Sequence, residues 1–327
     1  MSEAPRTPRR PRRLGFAVKV LGGGNLKESD NRRWQNAPHL RVSLGYLDAI
    51  FDYLAIMEIS MYRISSNIVP YATHPDLPQF HHQIDECRAE LAQLGAKARL
   101  LDLRLSMHPA QYIVLNSPDD AIAASAVREF VSHAAFLDAL GTPPEAKIVT
   151  HTGGVYGDRA AAMDRFVRRY ADLPETVRHR LVLENDEVSW PVADTIRIHE
   201  ATGIPLVFDN LHHAVLNPEG LAADRALRAS VATWKPGEVP KIHVSTQRRA
   251  QREVVRRDAR TKQRTTATVA AKPGQHDDWV DADEFVELMR TVDDLEFDVM
   301  LEAKQKDLAL LRLRADLEER GYSQLAR

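Results

Sequence analysis

Three runs decide the fold: Lys147-Ile148-Val149-Thr150-His151, Arg180-Leu181-Val182-Leu183-Glu184-Asn185 and Pro205-Leu206-Val207-Phe208-Asp209-Asn210. Each is a short β-rich segment that ends on a histidine or a carboxylate and gives way to a longer amphipathic stretch. Working outward, the same pattern recurs at Arg13–Val18, Met61–Ser66, Leu103–His108, Lys241–Ser245 and Phe297–Ala303, which makes eight strand candidates. Helical periodicity occupies Leu40–Met57, Gln79–Leu94, Ala121–Leu140, Ala160–Tyr170, Val192–Ala201, Gly220–Ser230, Ala282–Val292 and Leu308–Arg320. Gly95, Gly141 and Gly203 stand where helices are expected to stop. Strict alternation of strand and helix implies a parallel sheet. Eight repeats without a dinucleotide-binding glycine fingerprint favour its closure into a single α/β (β/α)8 TIM barrel. Leu21-Gly22-Gly23-Gly24-Asn25 is too short and too poorly placed for a dinucleotide loop and reads as a flexible turn.

The 327 residues, 44% of them hydrophobic, suffice for one large barrel or two ordinary domains. The pattern shows no second domain, so residues 13–327 read as the barrel and residues 1–12 as a basic, disordered arm. Apolar runs such as Ile50–Ile59 are broken by Asp52 and Glu58, far short of the roughly 20 residues a membrane span needs. Leu14–Leu21 is brief and contains Lys19, so no secretory signal is expected and the chain reads as cytoplasmic, nucleoid-associated if bacterial. Cys87 is the only cysteine, which excludes an intrachain disulfide. The net charge of −2 conceals a segregation: residues 1–13 carry +4 and residues 247–272 carry +7, leaving −13 on the rest. An acidic body of this kind suits metal cations, while the basic appendages suit phosphates.

In a barrel, the C-terminal ends of the strands converge on one mouth. Here those ends read Ser106-Met107-His108-Pro109, Thr150-His151-Thr152, Leu183-Glu184-Asn185-Asp186, Asp209-Asn210-Leu211-His212-His213, Lys241-Ile242-His243 and Leu301-Glu302-Ala303-Lys304. Four histidines and three carboxylates in one volume are electrostatically untenable without a cation, because buried carboxylates repel one another and otherwise take up protons. Seven ligands exceed the coordination of one ion, so two or three divalent ions are expected. Imidazole and carboxylate donors without thiolate suit manganese, zinc or iron, and the sequence does not choose among them. Closely spaced ions serve phosphodiester hydrolysis, but paired metals also serve sugar isomerases on the same barrel, so the metals alone do not settle the substrate. Lys241, two residues before His243, shares its face. An ammonium there is awkward: it serves as counter-charge to a phosphate, is neutralised by deprotonation or carbamylation, or simply snorkels to the rim.

The chain resembles the ultraviolet-damage endonucleases, a family of metal-dependent barrels. The marks are Tyr62-Arg63-Ile64-Ser65-Ser66 with Pro70, Thr73-His74-Pro75, Ser106-Met107-His108-Pro109 with Gln111-Tyr112, and His151 with Gly153-Gly154 and Tyr156-Gly157. Leu183-Glu184-Asn185-Asp186, Asp209 with His212-His213, Lys241-Ile242-His243 and Glu302-Ala303-Lys304 complete them. The resemblance implies a manganese-type cluster and hydrolysis 5′ to a lesion in double-stranded DNA, leaving a 3′-hydroxyl and a 5′-phosphate. It implies His108, His151, Glu184, Asp209, His212, His243 and Glu302 as ligands, with His74, Lys241 and His276 as further catalytic positions, the lysine being one the family modifies. It implies Gln111 and Tyr112 as the pair that wedges into the duplex while the lesion is flipped out.

Two features depart from the family. Phe16 and Val20 stand where relatives carry a lesion-probing tyrosine and asparagine, which leaves Phe16 as the DNA-facing group on that side. The stretch 247–272 is longer and more basic than expected, and Arg248, Arg249, Arg256 and Arg257 are its candidate phosphate contacts. The expected function is a DNA-repair endonuclease that needs no obligate protein partner. Its rivals are a sugar or sugar-phosphate isomerase and a non-catalytic damage-binding protein, both of which plasmid nicking with and without EDTA separates from it.

Overall fold

The computed structural model describes residue 10 and residues 12–257, 260–261 and 263–325. Eight parallel strands form one sheet: β1 (Leu14–Ala17), β2 (Met61–Ile64), β3 (Arg104–Met107), β4 (Ile148–His151), β5 (Leu181–Glu184), β6 (Leu206–Val207), β7 (Lys241–Val244) and, after a hairpin of β8 (Arg252–Arg257) and β9 (Arg264–Val269), β10 (Asp298–Leu301). The order β6-β5-β4-β3-β2-β1-β10-β7 leaves β6 and β7 as the two ends. A parallel bridge between Asp209 and His243, with His243 N–H donating to the Phe208 carbonyl at 2.8 Å, joins those ends and closes the barrel. All eight expected strands are present, trimmed to two to four residues. β6 is the shortest because Asp209 leaves the strand to cap the helix Asn210–Val215, its carboxylate accepting from the His212 N–H at 2.8 Å.

Side chains alternate across each strand, so one parity faces the barrel axis and the other the helices. Leu14, Phe16, Ile64, Leu105, Ile148, Leu183, Phe208, Val244 and Leu301 share a single apolar cluster with the helices, such as Leu40–Ile56 and Asp120–Ala139, packed around the strands. The opposite parity fills the interior with Val149, Val182 and Val207 against Trp234, and with Ala17, Met61 and Met300. The same interior parity places His151, Glu184, Asp209 and His243 one step further toward the C-terminal mouth. At the other end, Asp298 accepts Arg104 and Arg10, both at 2.7 Å, and the Arg13 N–H at 3.0 Å. Arg12 is buried, donates to the carbonyls of Val292 and Leu295 and lies over the Phe297 ring. Arg10 and Arg12, expected in a disordered arm, are thus docked on the barrel floor, opposite the mouth, because buried carbonyls and Asp298 need donors there. The rest of the arm lies outside the described residues.

Two expectations change at loops and helix ends. Gly141 and Gly203 do end helices, with φ of +67° and +73°. Gly95 does not: it lies within the helix Arg88–Leu100, where a Cβ would sit 1.6 Å from the Leu140 carbonyl oxygen. Close approach of a neighbouring backbone, not chain reversal, is what demands glycine there. Gly95→Ala is therefore expected to destabilise the fold by about 1–3 kcal/mol or more despite the helix propensity of alanine, read as a lower thermal midpoint. A midpoint equal to or above wild type would contradict this packing. The Leu21–Asn25 turn is anchored, since the Leu21 and Gly22 N–H groups donate to Asp307 at 2.7 and 2.8 Å. No helix of the described residues is long and apolar enough to cross a membrane.

Candidate metal centre

Glu184, at the end of β5 and fully buried, is the hub of the mouth. One carboxylate oxygen lies 3.1 Å from His108 Nε2 and 3.6 Å from His151 Nε2. The other lies 2.8 Å from His243 Nδ1 and 3.6 Å from His212 Nδ1. Two donor groups result, each tight enough to hold one ion: His108, His151 and Glu184, and Glu184, Asp209, His243 and Glu302. Backbone carbonyls orient several rings. His108 Nδ1 faces the Pro109 carbonyl at 2.8 Å, His212 Nδ1 that of Asn185 at 2.9 Å and His276 Nδ1 that of Glu302 at 2.6 Å. An Nδ1–H that donates to a carbonyl leaves the Nε2 lone pair for a cation.

The electrostatics fit divalent metal. Asp209 Oδ2 and His243 Nε2 are buried and have no hydrogen-bond partner among the described residues, so a bound cation can satisfy them. Burial pushes the Asp209 carboxyl up and the His108 imidazole down to about 4. Burial would also lower His212, yet the charges of Asp209, Glu184, Glu187 and Glu302 hold it up at about 10. Against the same cost of burial, His243 and His151 keep Glu184 well below the usual carboxylate range, and Arg63 and His243 do so for Glu302.

The remaining candidates fall into place unevenly. His276 reaches the cluster, its ring 6.0 Å from that of His212 and its Nδ1 3.8 Å from Glu302. Lys241 lies in the barrel below His243, with Nζ buried and without a hydrogen-bond partner, and burial together with Arg104 and Arg63 pushes its ammonium well below its ordinary value. His74 is exposed in the loop after β2, its Nδ1 accepting from the Asp76 N–H, and no contact among the described residues links it to the cluster. His213, adjacent to His212, turns away to the Leu221 carbonyl. Gln111 and Tyr112 are exposed at the tip of the turn Ala110–Ile113, three and four residues beyond His108, while Ile113 and Val114 behind them are buried. Tyr112 keeps 77% of its surface exposed.

Two DNA-facing expectations need correction. Phe16 is completely buried, edge-on to Tyr62 at 5.3 Å, because its parity on β1 points it at the helices. It presents no surface to a duplex, and Val20 is buried as well. Arg248 is bound to Asp278 and mostly enclosed, so its charge is neutralised within the fold. Arg249 pairs with Glu284 but remains 73% exposed, and such surface pairs are weak enough to exchange for a phosphate. Arg257 is exposed, and the Arg256 side chain lies outside the described residues. Sequence reasoning assigned no role to Arg63, which pairs with Glu302, or to Glu187, whose Oε2 is 3.5 Å from His212 Nε2. Strand parity marks Arg63, since it faces inward at the end of β2. Nothing periodic marks Glu187, which sits in a loop.

Fold and site together define a (β/α)8 barrel whose C-terminal mouth is built to hold divalent metal. The UV-endonuclease UvdE family profile matches residues 41–326. The chain is 36% identical over 273 residues to a UV DNA damage endonuclease of Bacillus velezensis, covering 82% of this chain and 78% of that one. A Bacillus cereus UV DNA damage endonuclease is 31% identical over 292 residues, 88% of this chain and 84% of the relative. The crystal structure of SacUVDE superposes with a TM-score of 0.78 at 30% identity, over 95% of this chain and 99% of that one. This chain belongs to the UV-endonuclease UvdE family. Endonuclease IV of Thermus thermophilus (TM-score 0.53, 14% identity) and D-psicose 3-epimerase of Clostridium cellulolyticum (0.54, 11%) share the fold alone.

Proposed function

We propose that this chain is a DNA-repair endonuclease that hydrolyses the phosphodiester 5′ to ultraviolet-type and related base lesions in duplex DNA, leaving a 3′-hydroxyl and a 5′-phosphate. It acts in the cytoplasm on the nucleoid, with manganese as its divalent ion and without an obligate protein partner. The observation that carries the reading is the pairing of a buried nitrogen- and oxygen-donor cluster centred on Glu184 with an exposed Gln111-Tyr112 turn a few residues from the ligand His108.

The two donor groups, with His212 and His276 beside them, would hold the ions. Bound there, divalent ions supply Lewis-acid charge neutralisation at the phosphoryl oxygens and lower the pKa of water. The chain's own groups do the rest. The carbonyls of Pro109, Asn185 and Glu302 fix ring orientation at His108, His212 and His276, so the donors are preorganised before DNA arrives. Gln111 and Tyr112 fill the gap left when damaged nucleotides leave the stack, which the recessed position of Glu184 requires. Lys241 Nζ, hidden beneath His243 without a hydrogen-bond partner, completes the interior wall, its positive charge disfavoured by burial and by Arg104 and Arg63 unless the amine is modified.

The test is plasmid nicking. Irradiated supercoiled plasmid should be nicked and intact plasmid left whole, EDTA should stop the reaction and manganese restore it. Equal nicking of both plasmids, or nicking indifferent to EDTA, would defeat the proposal.

A further inference from the structure

Within the basic stretch 247–272, β8 and β9 pair antiparallel, with Arg257 opposite Arg264, Val255 opposite Thr266 and Glu253 opposite Thr268 on one exposed face. Its legs are laced together at the rim of the mouth. Gln247 bridges to His276, the Gly274 N–H donates to Gln247 Oε1 at 2.8 Å, and Gln247 Nε2 donates to the Lys272 carbonyl at 2.9 Å. Because the His276 ring abuts His212, the hairpin is rooted directly beside the metal cluster. Arg248, paired with Asp278, fixes the root to the body.

Like charges directly opposite across two strands are destabilising, and no carboxylate among the described residues pairs with Arg257 or Arg264. An anion between the two guanidinium groups relieves that repulsion. The exposed hydroxyls of Thr266 and Thr268 continue the face with donors suited to phosphate oxygens. Strands of six residues reach about 20 Å at ~3.4 Å per residue, which matches about six base pairs of duplex at ~3.4 Å each. We propose that the hairpin is a clamp on the sugar-phosphate backbone of duplex DNA, with Arg257 and Arg264 engaging phosphates about six base pairs to one side of the cutting site. This rests on the endonuclease reading and adds to it a built reach on the flanking duplex. At the root, Arg248 serves mainly to anchor the hairpin, whereas the exposed Arg249 can exchange Glu284 for a phosphate.

The experiment compares the wild-type protein with Arg257→Gln/Arg264→Gln. Both side chains are exposed, so the fold has no reason to change. Binding is followed by fluorescence anisotropy in calcium, on lesion duplexes with long flanks and with flanks cut to about three base pairs on either side. For wild type, shortening one flank but not the other should cost roughly tenfold in affinity. The variant should lose that dependence, its slope of log affinity against log salt should flatten by about two units, and its affinity loss between 50 and 200 mM salt should shrink roughly tenfold. Identical slopes and identical flank dependence in the two proteins would overturn the clamp. Nicking of irradiated plasmid by the same wild-type preparation tests the parent reading separately. Nicking with an unchanged slope in the variant removes only the clamp, whereas a wild type that neither nicks nor binds damaged duplex removes both.

Discussion

Glu184→Gln is expected to lower nicking of irradiated plasmid by at least about a thousandfold, roughly 4 kcal/mol of transition-state stabilisation, while the protein stays folded. Glu184 belongs to both donor groups and is the point where His108, His151, His212 and His243 converge. The amide has the shape of the carboxylate but neither its charge nor its second strong acceptor, so each ion loses a ligand without a cavity being opened in the core. Metal affinity gives a readout independent of catalysis. Saturation at about 100 times the dissociation constant stabilises a folded protein by about 2.7 kcal/mol, so manganese should raise the wild-type melting temperature by several degrees. The variant should show a much smaller rise at the same manganese concentration. His243→Ala, which removes a member of the second group alone, should also abolish nicking while keeping part of the shift. Near wild-type nicking by both variants with manganese supplied would sink the cluster assignment.

The second large effect is expected from Gln111→Ala/Tyr112→Ala. The turn that bears these residues is held by the buried Ile113 and Val114 behind it, so truncating two exposed side chains removes contact with DNA and leaves the turn in place. Stacking of a tyrosine on a base contributes ~1–3 kcal/mol, so kcat/KM on a lesion within intact duplex should fall about 10- to 100-fold. A lesion already unpaired by a bulge or mismatches has its opening cost met in advance, and there the loss should stay within a few-fold. Neither side chain belongs to a donor group, so the manganese-induced thermal shift should match that of the wild type. Equal losses on the two substrates would argue against a wedge and for a general DNA contact.

The legible part of this protein was what local periodicity carries. Eight strands were visible because each is a short β-rich run ending at a chemically marked position, and their number with strict alternation implied the closed barrel. The period of two residues along a strand also placed Lys241 beneath His243 and put His151, Glu184 and Glu302 at one mouth. Helix ends were less legible: glycine signals both a stop and a close approach, so Gly141 and Gly203 were read correctly and Gly95 was not. The hairpin is only partly legible in the sequence: Val254, Val255, Thr265, Thr266, Thr268 and Val269 carry strand propensity, but the arginines among them break any apolar alternation, and pairing such as Arg257 with Arg264 follows from register rather than composition.

What the amino-acid order determined by itself was the barrel and the residue types at its rim, since both depend on spacing within single segments. Tertiary structure alone decided which neighbour serves. His212 and His213 are adjacent in sequence, but successive helical residues point about 100° apart, and only the docking of the short helix Asn210–Val215 turns His212 toward Glu184 and His213 toward the Leu221 carbonyl. The same holds for Phe16, whose burial depends on Tyr62 from the next strand, for Arg248, whose charge is taken by Asp278, and for Arg10 and Arg12, which are drawn onto the barrel floor by partners more than 270 residues away. Such pairings depend on through-space distances set by ring closure, and no periodicity in a linear chain encodes them.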